Sequence, residues 1–161
     1  MIQDIADRLE DVSQSFIAFI ADINDEDWSK TTDAEGWAVG VAAHHIAVGA
    51  QFVMDLAEHV ATGGDITWTK DFIDASNEQH ADVFSDVSKA EALENVTYQL
   101  GEAVKRTRAL SNEDRMRPLA EPWDYPYSEL FLHNAAEVIE VMIIDHIASH
   151  LGSIARTTAG S

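Results

Sequence analysis

The sequence predicts an all-α protein, a four-helix bundle with a long crossover between its second and third helices. Four segments repeat apolar residues at three- and four-residue steps, the spacing that lines one face of a helix. No segment combines polar–apolar alternation with hairpin turn signals, as strands would. The longest connection separates the second and third of these segments, which favours one crossing connection over a simple up-down-up-down bundle.

Helix one is predicted over roughly residues 2–23, where Ile5, Leu9, Val12 and Phe16 share one face. The stretch "NDEDW" then breaks the pattern, and a polar loop continues to residue 36. These features predict an amphipathic first helix with its apolar face in the bundle core.

Helix two begins near Trp37 and ends before the Gly63–Gly64 pair. Its many small residues would let a neighbouring backbone come close. Within the long connection, residues 63–87, the stretch "KDFIDASNEQHADVF" predicts a short helix over about 70–84.

Helix three opens with a capping box, in which Ser88 is the N-cap and Glu91 stands at N3. It extends to about Leu110. The stretch "SNEDRMRPLAEPWDYP" is predicted to be a loop because three prolines interrupt it. Helix four is expected to start near Ser128 and to end near Thr157.

Length and charge narrow the class of protein. The 161 residues suit one domain, residues 1–161, and 46% hydrophobic residues can fill a single core. The formal net charge of −19 repels phosphate backbones and anionic lipid. We therefore expect neither nucleic-acid nor membrane partners.

The chain contains no cysteine, so disulfides, thiolate ligands and an internal thiol nucleophile are excluded. Its apolar runs are shorter than the ~20 residues that span a bilayer. The acidic start "MIQDIADRLED" lacks the basic and apolar regions of a signal peptide. These features predict a cytoplasmic protein.

Two of the seven histidines, His146 and His150, are four residues apart near the end of the chain. Residues at this spacing share one helix face with Cβ atoms ~5–6 Å apart, so both imidazoles can reach one ion. The pair also continues the apolar stripe of Ile139 and Ile143, which should face the core. The alternative is that both are ordinary core or surface histidines.

A third imidazole could come from helix two, where His45 lies on the apolar stripe and His44 lies a step to its side. Unpartnered buried imidazoles are costly, and a shared divalent ion would remove that cost. His59, His80 and His133 are expected to be solvated or structural.

Other metal motifs are missing from the sequence. No histidine has Glu three residues before it, as di-iron bundles require, and Ile147 stands where a zincin needs Glu. A mononuclear site with three imidazoles remains.

Two motifs carry a resemblance to a known family. "WAVGVAAHHIA" resembles the helix-two signature of the DinB-like superfamily, which includes mycothiol-dependent maleylpyruvate isomerases and places a histidine eight residues after a tryptophan. Trp37 and His45 match that spacing, so the resemblance selects His45 over His44. "DHIASHLGSIA" resembles the last-helix pattern of the family, with His146 and His150 at its two histidine positions.

The resemblance implies a DinB-like four-helix bundle that holds a divalent ion, nickel or zinc, through His45, His146 and His150. It also implies homodimers, and low-molecular-weight thiols as cosubstrates in isomerisation or S-transfer. Some isomerases of the superfamily have Glu at the position of His146, and Ser153 replaces a frequent Gln. The first of these departures argues against an isomerase.

The expected chemistry follows from three neutral imidazoles, which leave an ion its full charge and open positions. Such an ion lowers the pKa of water or of a thiol. Because the chain has no cysteine, the thiol must be an external small molecule that attacks an electrophilic substrate. The alternatives are a non-catalytic metal-binding stress-response or sensor protein, and a helical interaction domain without metal.

A substrate pocket is expected where the His45 end of helix two meets helix four. Four aromatic residues could wall the pocket or simply pack, namely Trp37, Trp123, Tyr125 and Tyr127. No general base is identified, because Glu140 and Asp145 are predicted to lie on other faces of helix four, in solvent.

Overall fold

A computed structural model describes residues 3–160 and contains seven helices and one small sheet within that range. The helices in chain order are α1 (Ile5–Ala21), α2 (Asp25–Trp28), α3 (Val39–Ala61), α4 (Lys70–Val83), α5 (Lys89–Ala109), α6 (Asn112–Arg115) and α7 (Ala135–Thr158). The four long predicted helices are α1, α3, α5 and α7, so the all-α bundle is confirmed. The predicted start of helix one at Ile2 lies outside the described residues.

The four long helices form a closed ring. Helix α3 packs against α5 and α7, and α1 packs against the same two helices, so α1 and α3 stand at opposite corners. The long connection between α3 and α5 carries α4, as predicted, and α4 packs on the outside of α3. This arrangement leaves a cleft beside α3 that α4 and α7 border.

The helix starts are set by side-chain caps. The Ser88 hydroxyl accepts a hydrogen bond from the backbone N–H of Glu91 at 3.1 Å, which confirms the predicted N-cap of α5. Thr69 caps α4 in the same way through the N–H of Phe72. These caps satisfy N–H groups that have no partner inside the helix.

The predicted start of helix four near Ser128 is wrong by about two turns, because α7 begins at Ala135 with Asn134 as its N-cap. The intervening residues are used by a short antiparallel hairpin of β1 (Trp123–Asp124) and β2 (Phe131–Leu132). With two residues each, these strands are too short to show alternation in the sequence. The Asn134 side chain accepts from the Glu137 N–H, and this spacing is a start signal that the apolar pattern masked.

Helix α7 is interrupted by a π-helical turn over Glu140–Asp145 and returns to α-helix at His146. A π turn takes up one residue more than an α-helical turn and often lies at a functional site. Here it directly precedes the first histidine of the predicted pair.

Small residues on α3 allow close packing, as predicted. A Cβ atom added at Gly40 would stand 2.4 Å from the Trp28 indole nitrogen, so only glycine fits beneath that ring. Ala42, Ala43 and Ala47 are fully buried against neighbouring helices. This packing holds the first turns of α3, which carry His45, in a fixed position.

Helices α3 and α7 are long and apolar enough to cross a membrane by length and composition alone. However, 72% and 50% of their most apolar windows are buried inside the bundle. They therefore have the burial of core helices in a soluble-type bundle.

Candidate metal centre

The first of the three predicted ligands, His45, lies in the second turn of α3 and is buried. The indole of Trp37, in the loop before α3, packs edge-on against its ring with centroids 5.2 Å apart. The other two, His146 and His150, lie one turn apart on α7, directly after the π turn. Two adjacent helices of the bundle, α3 and α7, therefore carry the three rings.

The structure brings all three predicted residues together. One nitrogen from each of His45, His146 and His150 lies within 4.8 Å of the others. The Nε2 atoms of His146 and His150 are 2.9 Å apart. The ring of His45 stands 5.0 Å and 5.2 Å, centroid to centroid, from these two rings.

Burial favours the neutral form of two of these rings, His45 and His146. It lowers the pKa of His45 well below the ordinary value of 6.5, and the neighbouring imidazoles His146 and His150 lower it further. Burial and His150 likewise lower the pKa of His146 to about 3, against the opposing charge of Glu35. Neutral imidazoles offer lone pairs, which are the form that binds a cation.

A carboxylate lies behind the third ring. Oε1 of Glu35 lies 2.9 Å from Nδ1 of His150, close enough for a hydrogen bond although not well aligned for one. Its other oxygen, Oε2, accepts a 2.6 Å hydrogen bond from the Ser153 hydroxyl. Burial alone would raise the pKa of this carboxyl, but hydrogen bonds from His150, Ser153 and Thr32 hold it at about 2.

The carboxylate of Glu35 orients the site. A negative oxygen at Nδ1 favours the tautomer with a proton there, which leaves Nε2 of His150 as the lone-pair atom that faces His146. Sequence reasoning missed Glu35 because it lies in a loop without periodicity. The one signal was indirect, since Ser153, which stands where the family frequently has Gln, is the hydrogen-bond donor that holds it.

The donor set fits one divalent ion. Two nitrogens bound to the same ion at about 2.0–2.1 Å stand roughly 2.9–3.4 Å apart, for angles between a right angle and the tetrahedral one. The 2.9 Å between the two Nε2 atoms agrees with this range. Two facing lone pairs at that distance would repel each other unless a proton or a cation lies between them. Three imidazoles with a carboxylate behind one of them form a common metal-binding arrangement.

His44 lies outside this group. Its Nδ1 is 2.9 Å from Nε2 of His80, and the two rings are nearly parallel. The side-chain amide nitrogen of Asn95 lies 3.1 Å from the other nitrogen of His44. His80 is thus a buried structural residue, whereas His59 and His133 are exposed, in line with the predicted solvated or structural roles.

A cavity of about 900 Å³ opens onto the centre between α3, α4 and α7, at the predicted end of the bundle. His45 and His146 are among the residues that line it. Of the four aromatic candidates, Tyr125 and Tyr127 line the cavity, while Trp37 packs on His45 and Trp123 packs on Tyr125.

The two acidic residues of α7 differ from each other. Glu140 forms an ion pair with Arg8 of α1, away from the centre, as its predicted face requires. The expectation for Asp145 is wrong in part, because this exposed residue lines the cavity. It belongs to a stripe with Met142, His146 and Ser149, which turns toward the cleft rather than toward bulk solvent.

The chain matches the model of a known protein family. The family model of the DinB superfamily matches residues 3–154, nearly the whole chain and both histidine motifs. No curated protein matches the chain at a significant level.

Two solved structures share the fold. One is an uncharacterised protein from Clostridium difficile 630, with TM-score 0.72 and 12% identity over 97% of this chain and 96% of that chain. The other is YfiT from Bacillus subtilis, described as a probable metal-dependent hydrolase with an unusual four-helix bundle topology. Its TM-score is 0.73 with 13% identity, over 99% of this chain and 90% of that chain. At these identities the likeness concerns the fold.

Proposed function

This chain belongs to the DinB superfamily, and from that premise we propose that it is a metal-dependent S-transferase. In this proposal, His45, His146 and His150 hold a divalent ion that activates an external low-molecular-weight thiol. The thiol sulfur would form a bond to an electrophilic atom of a small molecule in the adjoining cavity, the thiol proton would pass to water, and the leaving group of the small molecule would depart with the electron pair of its broken bond. The observation that carries the proposal is the convergence of three histidine ring nitrogens beside a cavity large enough for a substrate.

The residues of the chain have distinct parts in this scheme. The three imidazoles hold the ion, and Glu35 keeps Nε2 of His150 directed at it. When bound there, a divalent ion supplies positive charge that lowers the pKa of a thiol or of water and stabilises developing negative charge. The apolar walls of the cavity exclude water from the two reactants.

The thiol must come from outside, since the sequence has no cysteine. The cavity lies on the side of His45 and His146, while Glu35 stands behind His150. Reactants can therefore approach the open side of the centre without displacing the carboxylate. This asymmetry supports an ion with free positions rather than a closed structural site.

The finer properties of the proposal come from the family resemblance and from ligand chemistry. Imidazole ligands suit zinc and nickel equally, so either metal is proposed. We also propose a homodimer and a cytoplasmic location, in keeping with the acidic, soluble-type bundle.

A second candidate is hydrolysis, in which water takes the place of the thiol. It is favoured by the shared fold with YfiT, which is itself described as a probable metal-dependent hydrolase. The same centre would serve both reactions, because the charge that activates a thiol also activates water.

The test compares the two nucleophiles on purified protein loaded with zinc or nickel. A panel of small thiols is offered with 1-chloro-2,4-dinitrobenzene, and thiol loss is followed with a thiol-specific dye; p-nitrophenyl acetate without thiol reports hydrolysis. We expect metal-dependent thiol loss that disappears in His45→Ala and persists in His44→Ala, its matched neighbour. Ester cleavage alone would favour the hydrolase, and bound metal without any turnover would point to a binding protein.

A further inference from the structure

The cavity extends well beyond the metal centre. Its volume of about 900 Å³ lies near the upper end for small-molecule sites, which range from roughly 300 to 1,000 Å³. One ion and one small thiol would leave much of it unfilled. The remaining space has a chemistry of its own, which the metal proposal does not explain.

The wall of the cavity is largely apolar and rich in aromatic rings. Six of the lining residues are aromatic: Phe52, Trp68, Phe72, Phe84, Tyr125 and Tyr127. Three apolar lining residues are also strongly exposed at the mouth, since Phe52, Phe72 and Val83 keep 56%, 52% and 66% of their surface accessible. Exposed apolar side chains gathered around an opening are typical of a ligand-binding site.

The charges around the cavity are negative. Among the described residues, 3–160, no Lys or Arg lines it, and Asp145 is its one carboxylate. The nearby ammonium group of Lys70 lies over the Tyr127 ring and pairs with Asp74. The Tyr127 hydroxyl donates to that same carboxylate. The cation at the rim is therefore already neutralised.

Two unfavourable terms would oppose the binding of a ligand carboxylate in this cavity. The carboxylate would lose water without gaining a cationic partner along the wall, and Asp145 would repel it. The chain as a whole, at −19, adds a long-range repulsion of anions. An uncharged aromatic or aliphatic ligand avoids both the desolvation of a charge and the repulsion. It also buries apolar surface against the aromatic wall.

We infer that the molecule filling this cavity is an uncharged, largely apolar small molecule, bound along the wall between α4 and α7 with one end at the metal centre. The inference rests on the proposed function for the reaction at that end, and it adds the substrate class. Side chains such as Asn77, Gln79 and Ser149 supply a few polar contacts that orient the molecule.

The test uses two probes of the same shape, 2-naphthylethanol and 2-naphthylacetate, titrated by calorimetry into the full chain after chelation of metals. Working without metal removes the attraction that an ion would exert on the carboxylate. We expect the alcohol to bind at least about tenfold more tightly than the acetate. Equal affinities, tighter binding of the acetate, or no binding of the alcohol would overturn the inference.

Two pairs of variants locate the effect. Ser76→Trp, at an exposed lining position on α4, should place an indole in the cavity and weaken binding of the alcohol, whereas Ala75→Trp, at the neighbouring position outside the lining, should not. Gln79→Lys should strengthen binding of the acetate about tenfold. Glu78→Gln makes the same change in net charge outside the cavity lining and should leave it unchanged. Equal effects of Gln79→Lys and Glu78→Gln would show that overall charge, not the cavity, selects the ligand.

This experiment and the turnover test fail in different ways. Loss of the alcohol preference in metal-free protein contradicts the substrate class while leaving the metal chemistry intact. A protein without metal-dependent turnover that still prefers the alcohol contradicts the S-transferase and keeps the apolar ligand.

Discussion

His44 and His45 are neighbours on α3, yet their rings belong to two different environments. His45 turns toward α7 and meets two histidines whose nitrogens point at one another. His44 turns toward α4 and α5, where His80 and Asn95 occupy both of its nitrogens. Both rings are buried to a similar degree, so burial does not separate them.

The difference between the two histidine groups lies in their hydrogen bonds. The amide nitrogen of Asn95 can only donate, so Nε2 of His44 accepts, and Nδ1 of His44 then donates to Nε2 of His80. This chain satisfies both nitrogens of His44 within the protein. In the triad, by contrast, Nε2 of His150 faces Nε2 of His146 at 2.9 Å, and among the described residues no donor from outside the triad pairs with either atom. A buried histidine is therefore a candidate ligand when its lone pair has no donor, not merely when it is buried.

The largest expected effect is a loss of zinc affinity when His45, but not its neighbour His44, is replaced by alanine. His45→Ala removes one of three ligands and should lower zinc affinity by more than the roughly 10–100-fold that loss of an outer partner costs. His44→Ala should leave zinc affinity within a few-fold of wild type. Metal content by mass spectrometry and competition with a chelator measure both, and equal losses in the two variants would contradict the comparison.

A smaller effect on the triad should follow removal of the charge behind His150. Glu35→Gln keeps the shape but weakens the preference for a proton at Nδ1, so zinc affinity should fall about 10–100-fold. Asp33→Asn is the matched control, because this nearby carboxylate is exposed and pairs with Arg156. If the two variants bind zinc equally well, Glu35 does not orient the ligand.

The His44–His80 pair should respond in stability instead. His44→Leu leaves Nε2 of His80 without its donor in a buried position, at a cost of about 1–3 kcal/mol in free energy of unfolding. Adding His80→Leu should recover part of that loss, since the buried Nε2 of His80 that lacked its donor is then no longer present. Denaturant unfolding of both single variants and the double variant measures the coupling. Strictly additive losses would show that the two rings do not act as a pair.

The smallest expected effect concerns the His44–His80 pair and the pH dependence of stability. It is measured on protein from which a chelator has removed any metal. Burial and His44 lower the pKa of His80 to about 4, below the ordinary value of 6.5. Between these values the unfolded chain binds a proton that the folded chain does not, so stability falls as the pH drops from about 6.5 to about 4. The slope is at most about 1.4 kcal/mol per pH unit for one group. In the His44→Leu/His80→Leu variant, the free energy of unfolding should depend less steeply on pH. An unchanged slope would show that the pH dependence comes from the triad of His45, His146 and His150.

The features that could be predicted from the sequence are those set by residues close together in the chain. The four long helices follow from apolar spacing, and Ser88 from capping chemistry. The start of α7 could not be predicted in this way, because residues 123–132 form a hairpin whose pairing depends on the tertiary fold. Apolar Leu130 and Phe131 there continued the helical pattern and misplaced the boundary.

The site was predictable only in part for the same reason. His146 and His150 follow from their spacing, but the choice of His45 over His44 needed the family resemblance. Glu35 lies 115 positions before His150, in a loop, so no local pattern connects the two. The role of Asp145 was misjudged because its face of α7 borders a cleft that only α4 and the neighbouring loop create.

The π turn at Glu140–Asp145 has a consequence for the insertions and deletions that this helix can accept in evolution. Deleting one residue within it would remove the extra residue, restore an ordinary α-helix and leave His146 and His150 directed as they are now. Closing the π turn without such a deletion would instead rotate both histidines about the helix axis by about 100°, away from His45 on α3. A homologue with an uninterrupted helix would have to carry its two histidines one position earlier. An alignment of such sequences should therefore show a single-residue gap inside this segment, and that gap would mark the loss or gain of the bulge.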